Sequence, residues 1–430
     1  MERKKEVLNH FNKRLKSHHD AKGLAGKYFK SQPTTKEEYM KILNEKPSDI
    51  PKAIYVHTPY CDKICSFCNL NRKQIDGSLD EYAQYLADQF EHYGNTTYFK
   101  ESEFQVIFFG GGTPTVFNDS QLKIILESIQ KNVRLKSGYE FTFESTLHNL
   151  SPNKAKLLAQ YGVNRFSIGI QTFDDAGRKF YNRTYSKAEV IDRLKILKDI
   201  FTGDLCIDLI YNYPKQTIEQ VKEDVKIIKA LGLSSASFYS LMVHEGSKLS
   251  HDINSENVQL DYDIETDYNL HDTFLNEVLK DSEYHILELT KVAKNNADNY
   301  QYIKVRNNGG DTFPIGIGAG GNIGNIGIYN MNKTISFFVK HNEIAKRLSK
   351  LSGLLQFPVI SSQEIKTILT PEEFHYFNEK IKIYINKGLI QEMDNNYILT
   401  YDGIFWGNNI SSELLVYILD SITQGQRLNN

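Results

Sequence analysis

Cysteine is scarce in this chain: four in 430 residues, three packed together and one alone at Cys206. So sparse and uneven a set excludes the disulfide framework of a secreted mini-domain and points to a reducing compartment. Long apolar runs are missing too, and nothing in the sequence is long enough to cross a bilayer. The opening Met-Glu-Arg-Lys-Lys-Glu-Val-Leu-Asn-His lacks the apolar stretch of a secretory leader. The expectation is a cytoplasmic protein with no membrane span. Charge of one sign is also absent: Lys+Arg 51 against Asp+Glu 53 leaves −2, so there is no global basic footprint for nucleic acid. What remains, 40 % hydrophobic and 24 % charged residues, describes a soluble globular protein long enough for two or three domains.

The few cysteines are the most informative residues. Cys61, Cys65 and Cys68 fall in His-Thr-Pro-Tyr-Cys-Asp-Lys-Ile-Cys-Ser-Phe-Cys, a C-x3-C-x2-C spacing. Thiolates favour iron–sulfur clusters, zinc and Cu(I). A four-iron cluster ordinarily takes four cysteines; three leave one iron open, and an open metal position is a place for chemistry. The competing reading is a zinc knuckle completed by His57, the nearest candidate for a fourth ligand. His57 also reads as a substrate contact or a hydrogen-bonded strand residue, and Cys206 as a small buried apolar residue.

From residue 53 short β-rich runs alternate with helical periodicity. Strands are expected at 53–57, 104–109, 139–144, 165–170, 205–211 and 235–241, with helices at 79–93, 120–132, 151–161, 174–181, 187–200 and 217–231. This alternation implies a parallel sheet with helices outside, an α/β fold whose functional residues sit at the carboxyl ends of the strands. Several strand candidates end on glycine or polar residues: Gly110-Gly111-Gly112-Thr113, Glu144, Gln171 and Asp208. Four such endings in register suggest one pocket, although each alone reads as an ordinary strand-end polar group. The glycines let backbone approach a ligand closely, and Arg183 in Tyr-Asn-Arg-Thr is placed to clamp a carboxylate.

Outside the alternating region, residues 1–50 read as a polar, lysine-rich arm or helical extension with a weakly amphipathic stretch near Leu8–Leu15. His18-His19 reads as part of a solvated arm, with haem ligation as an alternative. Residues 51–250 form the core, 251–345 a glycine-loop extension and 346–430 a C-terminal helical, winged-helix-like domain. A hairpin there is expected to turn at Asp394-Asn395-Asn396. Winged helices often read DNA, but Glu392, Asp394 and Asp402 argue for a lid or packing role. Gly316-Ile-Gly318-Ala-Gly320-Gly321 contains a G-x-G-x-x-G match without the strand–helix context of a dinucleotide site. It is expected to be an irregular glycine loop packed against a flat ligand.

Four segments together resemble the oxygen-independent coproporphyrinogen dehydrogenase superfamily of radical S-adenosylmethionine (SAM) enzymes: Tyr55-Val-His-Thr-Pro-Tyr-Cys…Cys-Ser-Phe-Cys, Gly110-Gly-Gly-Thr-Pro-Thr, Ser167-Ile-Gly-Ile-Gln-Thr-Phe and Asp208-Leu-Ile-Tyr-Asn-Tyr-Pro-Lys-Gln-Thr. The resemblance spans about residues 50–245 and implies a partial (β/α)6 radical SAM barrel. It also implies a four-iron, four-sulfur cluster on Cys61, Cys65 and Cys68, and two molecules of SAM. One SAM would contact Tyr55, Gly111, Glu144, Leu241 and Asn322; the other would contact Phe67, Gly112, Thr113, Gln171, Arg183 and Asp208. Within the superfamily, Leu70 stands where the dehydrogenases have a further cysteine, and some sixty residues precede the motif, unlike the haem chaperones. The late glycine segment looks most like the anaerobic haem-degrading methyltransferases, the anaerobilin synthases. That resemblance implies a haem or related porphyrin substrate, a flavodoxin-type electron donor, transfer of a methyl group from SAM and opening of the macrocycle to a linear tetrapyrrole with release of iron.

Overall fold

The computed structural model describes residues 2–17 and 31–428; His18-His19 lies outside the described residues. The core strands are β1 (Lys52–Thr58), β2 (Phe104–Gly111), β3 (Leu135–Ser145), β4 (Arg165–Gln171), β5 (Asp204–Tyr211) and β6 (Ser235–Ser240). They pair in sequence order and all parallel, with Ala53 opposite Val106, Ile107 opposite Phe141, Thr142 opposite Arg165, Ser167 opposite Cys206 and Asp208 opposite Ser237. Helices α1 (Leu79–Gly94), α2 (Asp119–Asn132), α3 (Pro152–Gln160), α4 (Lys187–Ile200) and α5 (Ile218–Leu231) lie between them in sequence. Capping boxes start three of these helices, at Asn118/Gln121, Ser186/Glu189 and Thr217/Gln220, each satisfying two backbone donors that the first turn leaves open.

The strands alternate by face. In β4, Phe166, Ile168 and Ile170 join the apolar core with Val190, Leu194 and Leu197 of α4. Arg165 and Ser167 on the other face bond to Asp298 and Asp208. Parallel strands covered on both sides are usually apolar on both; a polar inner wall marks the inside of this barrel as a place for ligands rather than packing.

The sheet extends past the six expected strands. It continues as β7 (Tyr284–Glu288), β8 (Lys291–Lys294), β9 (Asp311–Ile315), β10 (Gly320–Ile323), β11 (Ile326–Asn330) and β12 (Ser336–Lys340). The order is β12-β11-β10-β9-β1-β2-β3-β4-β5-β6-β8-β7, with the two-residue strand Gln32–Pro33 on the β12 edge, thirteen strands in one open sheet. The barrel is therefore partial, as expected. The glycine segment is not an irregular loop: β9 runs parallel to β1, and β10 and β11 fold back antiparallel. The turn between β9 and β10 passes so close to the cysteine loop that a Cβ on Gly318 (φ +86°) would lie 2.7 Å from the Asn71 amide, which is why glycine interrupts an otherwise recognisable strand pattern.

Among its described residues the arm is partly helical: Glu2–Leu8 forms one helix, ending where the amphipathic stretch begins, and Lys36–Leu43 another, while residues 11–17 are not helical. Trp406 Nε1 donates to Val7 O at 2.9 Å. Arg14 donates to Tyr211 Oη at 2.6 Å and Asp267 Oδ1 at 2.8 Å. Helices α6 (Ile264–Leu279) and α7 (Gln301–Asn307) follow the barrel, and at the C-terminus helices α8 (Glu343–Leu354), α9 (Ser362–Ile368) and α10 (Pro371–Asn386) accompany a three-stranded sheet of β13 (Val359–Ser361), β14 (Ile390–Met393) and β15 (Asn396–Leu399), as in a winged helix. The β14–β15 turn falls on Asp394 and Asn395 with φ of +52° and +61°, the two left-handed positions of a type I′ hairpin. Asp402 is buried and accepts from Tyr268 Oη at 2.7 Å, a packing role.

Candidate active site

The cysteine loop follows β1 and is tied down residue by residue. Gly112 N donates to Thr58 O at 2.7 Å and Thr113 N to Tyr60 O at 2.8 Å, binding the loop to the glycine segment after β2. Ile75 N closes on Cys61 O at 3.0 Å, and Leu249 N holds Ser66 O at 2.7 Å. Asn182 Nδ2 donates to Ile64 O at 3.1 Å, and Arg72 donates to the carbonyl of Cys68. Cys61 is buried, while Cys65 and Cys68 are half-buried. Burial pushes the Cys61 thiol up to about 11 and raises that of Cys68; a metal centre arriving here must displace those protons.

The donor set fits a four-iron cluster. Three soft sulfurs sit on one loop whose backbone is fixed on both flanks. Zinc through His57 does not fit, because both ring nitrogens are engaged: Nδ1 with Tyr55 Oη and Nε2 with Asn71 O, each at 3.0 Å. Among the described residues no three His, Cys, Asp or Glu side chains converge on a point for a single ion. A cube takes each thiolate at a separate iron and does not require that convergence. Gly111 (φ +107°) lies so close to His57 that a Cβ would meet its ring at 2.6 Å, so the backbone itself forms this wall.

Around the loop the structure brings together most of the residues named from the sequence. Glu144 Oε2 accepts from Gly111 N at 3.2 Å. Burial, with Asp208 nearby, pushes its carboxyl up to about 8. Asp208 accepts from Ser167 Oγ at 3.2 Å. Gln171, at the end of β4 with φ +67°, is buried with its Oε1 unpartnered among the described residues, an acceptor in want of a ligand. Arg183 Nη1 donates to Cys65 Sγ at 3.0 Å, and Thr113 Oγ1 lies 3.5 Å from Cys61 Sγ. Phe67 packs edge-on to Tyr181 at 5.4 Å, in a cluster that includes Leu241. Tyr55 stacks on Phe108 and Tyr302. Asn322 stands apart: it pairs with Thr312 at the amino end of β9 and lines a separate cavity with Arg306 and Lys346.

Several residues at the site carry no signal in the sequence. Asp298, far along the chain, meets Arg165 with both carboxylate oxygens at 2.9 Å and also receives Ser235 Oγ and Cys206 Sγ. The Arg165 guanidinium and the Lys291 ammonium lie 4.6 and 5.1 Å from the Tyr300 ring. These groups form the floor of the barrel. From the arm, Lys16 Nζ reaches Leu241 O at 2.8 Å. Asp298 stands 133 positions from Arg165, 92 from Cys206 and 63 from Ser235, and Lys16 stands 225 from Leu241, and no local pattern announces such contacts.

The parallel barrel and the thiolate loop define a radical SAM domain, and residues 55–228 match the family model described as the Radical SAM superfamily. A radical SAM domain implies a four-iron, four-sulfur cluster and SAM as its cofactors, and the proteins this chain is similar to support a place near the HemN-type radical SAM proteins. It is 27 % identical over 381 residues to the heme chaperone HemW of Lactococcus lactis, covering 85 % of this chain and 98 % of that one. It is 23 % identical over 410 residues to the anaerobilin synthase of Escherichia coli O157:H7, covering 90 % and 91 %. The solved structure of Escherichia coli coproporphyrinogen III oxidase (HemN) superposes with a TM-score of 0.74 at 19 % identity, covering 91 % of this chain and 98 % of that one, a likeness of fold. Among the described residues no helix is long and apolar enough to cross a membrane.

Proposed function

We propose that the chain is an anaerobic haem-degrading radical SAM methyltransferase, which methylates the porphyrin and opens it to a linear tetrapyrrole. The observation that carries this reading is Leu70. It lies on the rim of the cysteine loop, 52 % exposed, where the dehydrogenases that the sequence resembles have a further cysteine. The anaerobilin synthase alignment, which takes in nine-tenths of both chains, supports the same choice.

In this reading Cys61, Cys65 and Cys68 would hold the cluster, which when bound would supply one-electron reduction of the SAM sulfonium. Tyr55, Gly111, Glu144 and Leu241 bind one SAM; Phe67, Gly112, Thr113, Gln171, Arg183 and Asp208 bind the other. Glu144 and Asp208 supply carboxylates for the cationic and hydroxyl groups of SAM, and Arg183 supplies a guanidinium for its carboxylate. The glycine wall brings backbone donors to within reach of the ligand, and the barrel with its C-terminal cover keeps water from the reacting carbon. A flavodoxin-type protein is the expected electron donor.

The HemW alignment favours a second reading, a haem chaperone. One anaerobic assay separates these readings and the dehydrogenase: cluster-reconstituted protein, SAM, a chemical reductant and either haem or coproporphyrinogen III. Loss of the haem Soret band with a new linear tetrapyrrole is the expected result. Haem bound but unchanged, in protein that still cleaves SAM, would establish the chaperone. Vinyl formation on coproporphyrinogen III would replace both readings with the dehydrogenase.

A further inference from the structure

The cavity that Asn322 lines lies at the amino end of β9, the opposite end from the cysteine loop, where α8 meets helix α7 (Gln301–Asn307) and the β10–β11 turn. Its volume is about 480 Å³, within the range that holds small organic ligands. Four cationic side chains face it, Arg306, Lys346, Arg347 and Lys350, against the single carboxylate of Glu343. Arg347 is committed elsewhere: its guanidinium meets Glu373 at 2.8 and 3.1 Å. Lys346 Nζ lies 3.5 Å from the exposed Glu343 carboxylate. Arg306 and Lys350 have no ion-pair partner among the described residues.

Lys346 and Lys350 stand one turn apart on α8, about 6 Å along its axis, and Arg306 comes from a different helix. Ser352, which also lines the cavity, is only 2 % exposed, and its Oγ has no hydrogen-bond partner among the described residues. A buried hydroxyl left unpaired is unfavourable unless something fills its place. Two unneutralised cations on separate elements, a third one turn away and an unpaired hydroxyl lining the same cavity form a receptor for an anion with more than one charged group.

We propose that this cavity binds a small organic anion bearing two or more acidic groups, carboxylate or phosphate, at a site separate from the SAM chemistry. Neither the cluster nor the identity of the tetrapyrrole enters the argument, so the proposal stands or falls apart from the functional reading above.

Calorimetric titration of the cluster-loaded full chain tests it with two probes that bind iron weakly: benzene-1,3,5-tricarboxylate for carboxylates and glucose 1,6-bisphosphate for phosphates. At least one should bind, and the one that does identifies the acidic group. Arg306→Glu and Lys350→Glu should each weaken it about tenfold or more, while Lys123→Glu on the distant α2 leaves it unchanged. Arg306→Ala, which only removes the exposed charge, should weaken it in the same direction and covers the case of a reversal variant that misfolds. Failure of both probes to bind at millimolar concentration would overturn the proposal. So would affinity that is indifferent to these substitutions, or benzoate binding as tightly as the tricarboxylate.

Discussion

The guanidinium of Arg183 bridges the barrel wall and the cysteine loop: Nη1 donates to Cys65 Sγ at 3.0 Å while Nη2 donates to the carbonyl of Gly169. One side chain thus reads both the metal-binding loop and the strand that ends at Gln171. A planar fork holding two acceptors at once is something lysine cannot copy. Arg183→Ala is expected to keep about four irons per chain yet weaken SAM binding tenfold or more, and Arg183→Lys should recover only part of the loss. Equilibrium dialysis of SAM against reconstituted protein reads the effect; unchanged affinity in the alanine variant would remove Arg183 from the SAM site.

The three loop cysteines and Cys206 should behave in opposite ways. Cys61→Ala, Cys65→Ala and Cys68→Ala are each expected to lose the iron–sulfur absorption and most of the iron, because no other thiol lies on the loop. Cys206→Ala should retain both. Its Sγ sits against Asp298 Oδ2 at 3.2 Å in the barrel floor, and burial first of all holds its thiol well above the ordinary range. Iron and sulfide analysis after anaerobic reconstitution decides the matter, and a full cluster in any of the three loop variants would refute the ligand assignment.

The loop, the strand ends and the Asp394-Asn395 turn were legible because each is a local pattern: fixed cysteine spacing, a glycine run after an apolar strand, two turn-forming residues between alternating strands. The strands from Asp311 to Asn330 were not. Gly316, Gly318, Gly320 and Gly321 leave too few side chains in that stretch for alternation to show, and the close approach of Gly316 and Gly318 to β1 and the cysteine loop depends on residues more than 200 positions earlier. The same holds for Asn322. The resemblance implied a SAM contact for Asn322, but β10 runs away from the cysteine loop and delivers Asn322 to the other end of the barrel. The floor formed by Arg165, Lys291, Asp298 and Tyr300 was invisible because a buried ion pair is made by the fold and not by neighbours in sequence.

That floor pair should matter for stability. Arg165 and Asp298 side chains are 2 % and 0 % exposed. Burial alone would raise the Asp298 carboxyl, yet Arg165 holds it well below the usual carboxylate range. Removing one partner strands the other charge in the interior, which typically costs about 3–5 kcal/mol. Arg165→Met and Asp298→Asn are each expected to lower unfolding stability by that order, with the double variant less damaged than the sum of the two. Urea unfolding of all four proteins gives the coupling, and additive losses would show that the two side chains act independently.

Asp224, on α5, gives the chain a pH dependence of defined sign. It is buried and accepts from Thr172 Oγ1 and Phe173 N, each at 3.1 Å; burial raises its carboxyl from 3.8 to about 7. Between those values the folded chain keeps a proton that the unfolded chain has released. Stability from this group is therefore greatest at the acid end, falls as pH rises toward about 7, and is flat above, by up to about 1.4 kcal/mol per pH unit across the window. Asp224→Asn, which cannot ionise, should remove this component. Unfolding midpoints at pH 5 and pH 8 should thus drop more for the parent than for the variant. Equal slopes in the two proteins would mean that Asp224 is already ionised in the fold, its charge carried by the Thr172 and Phe173 donors.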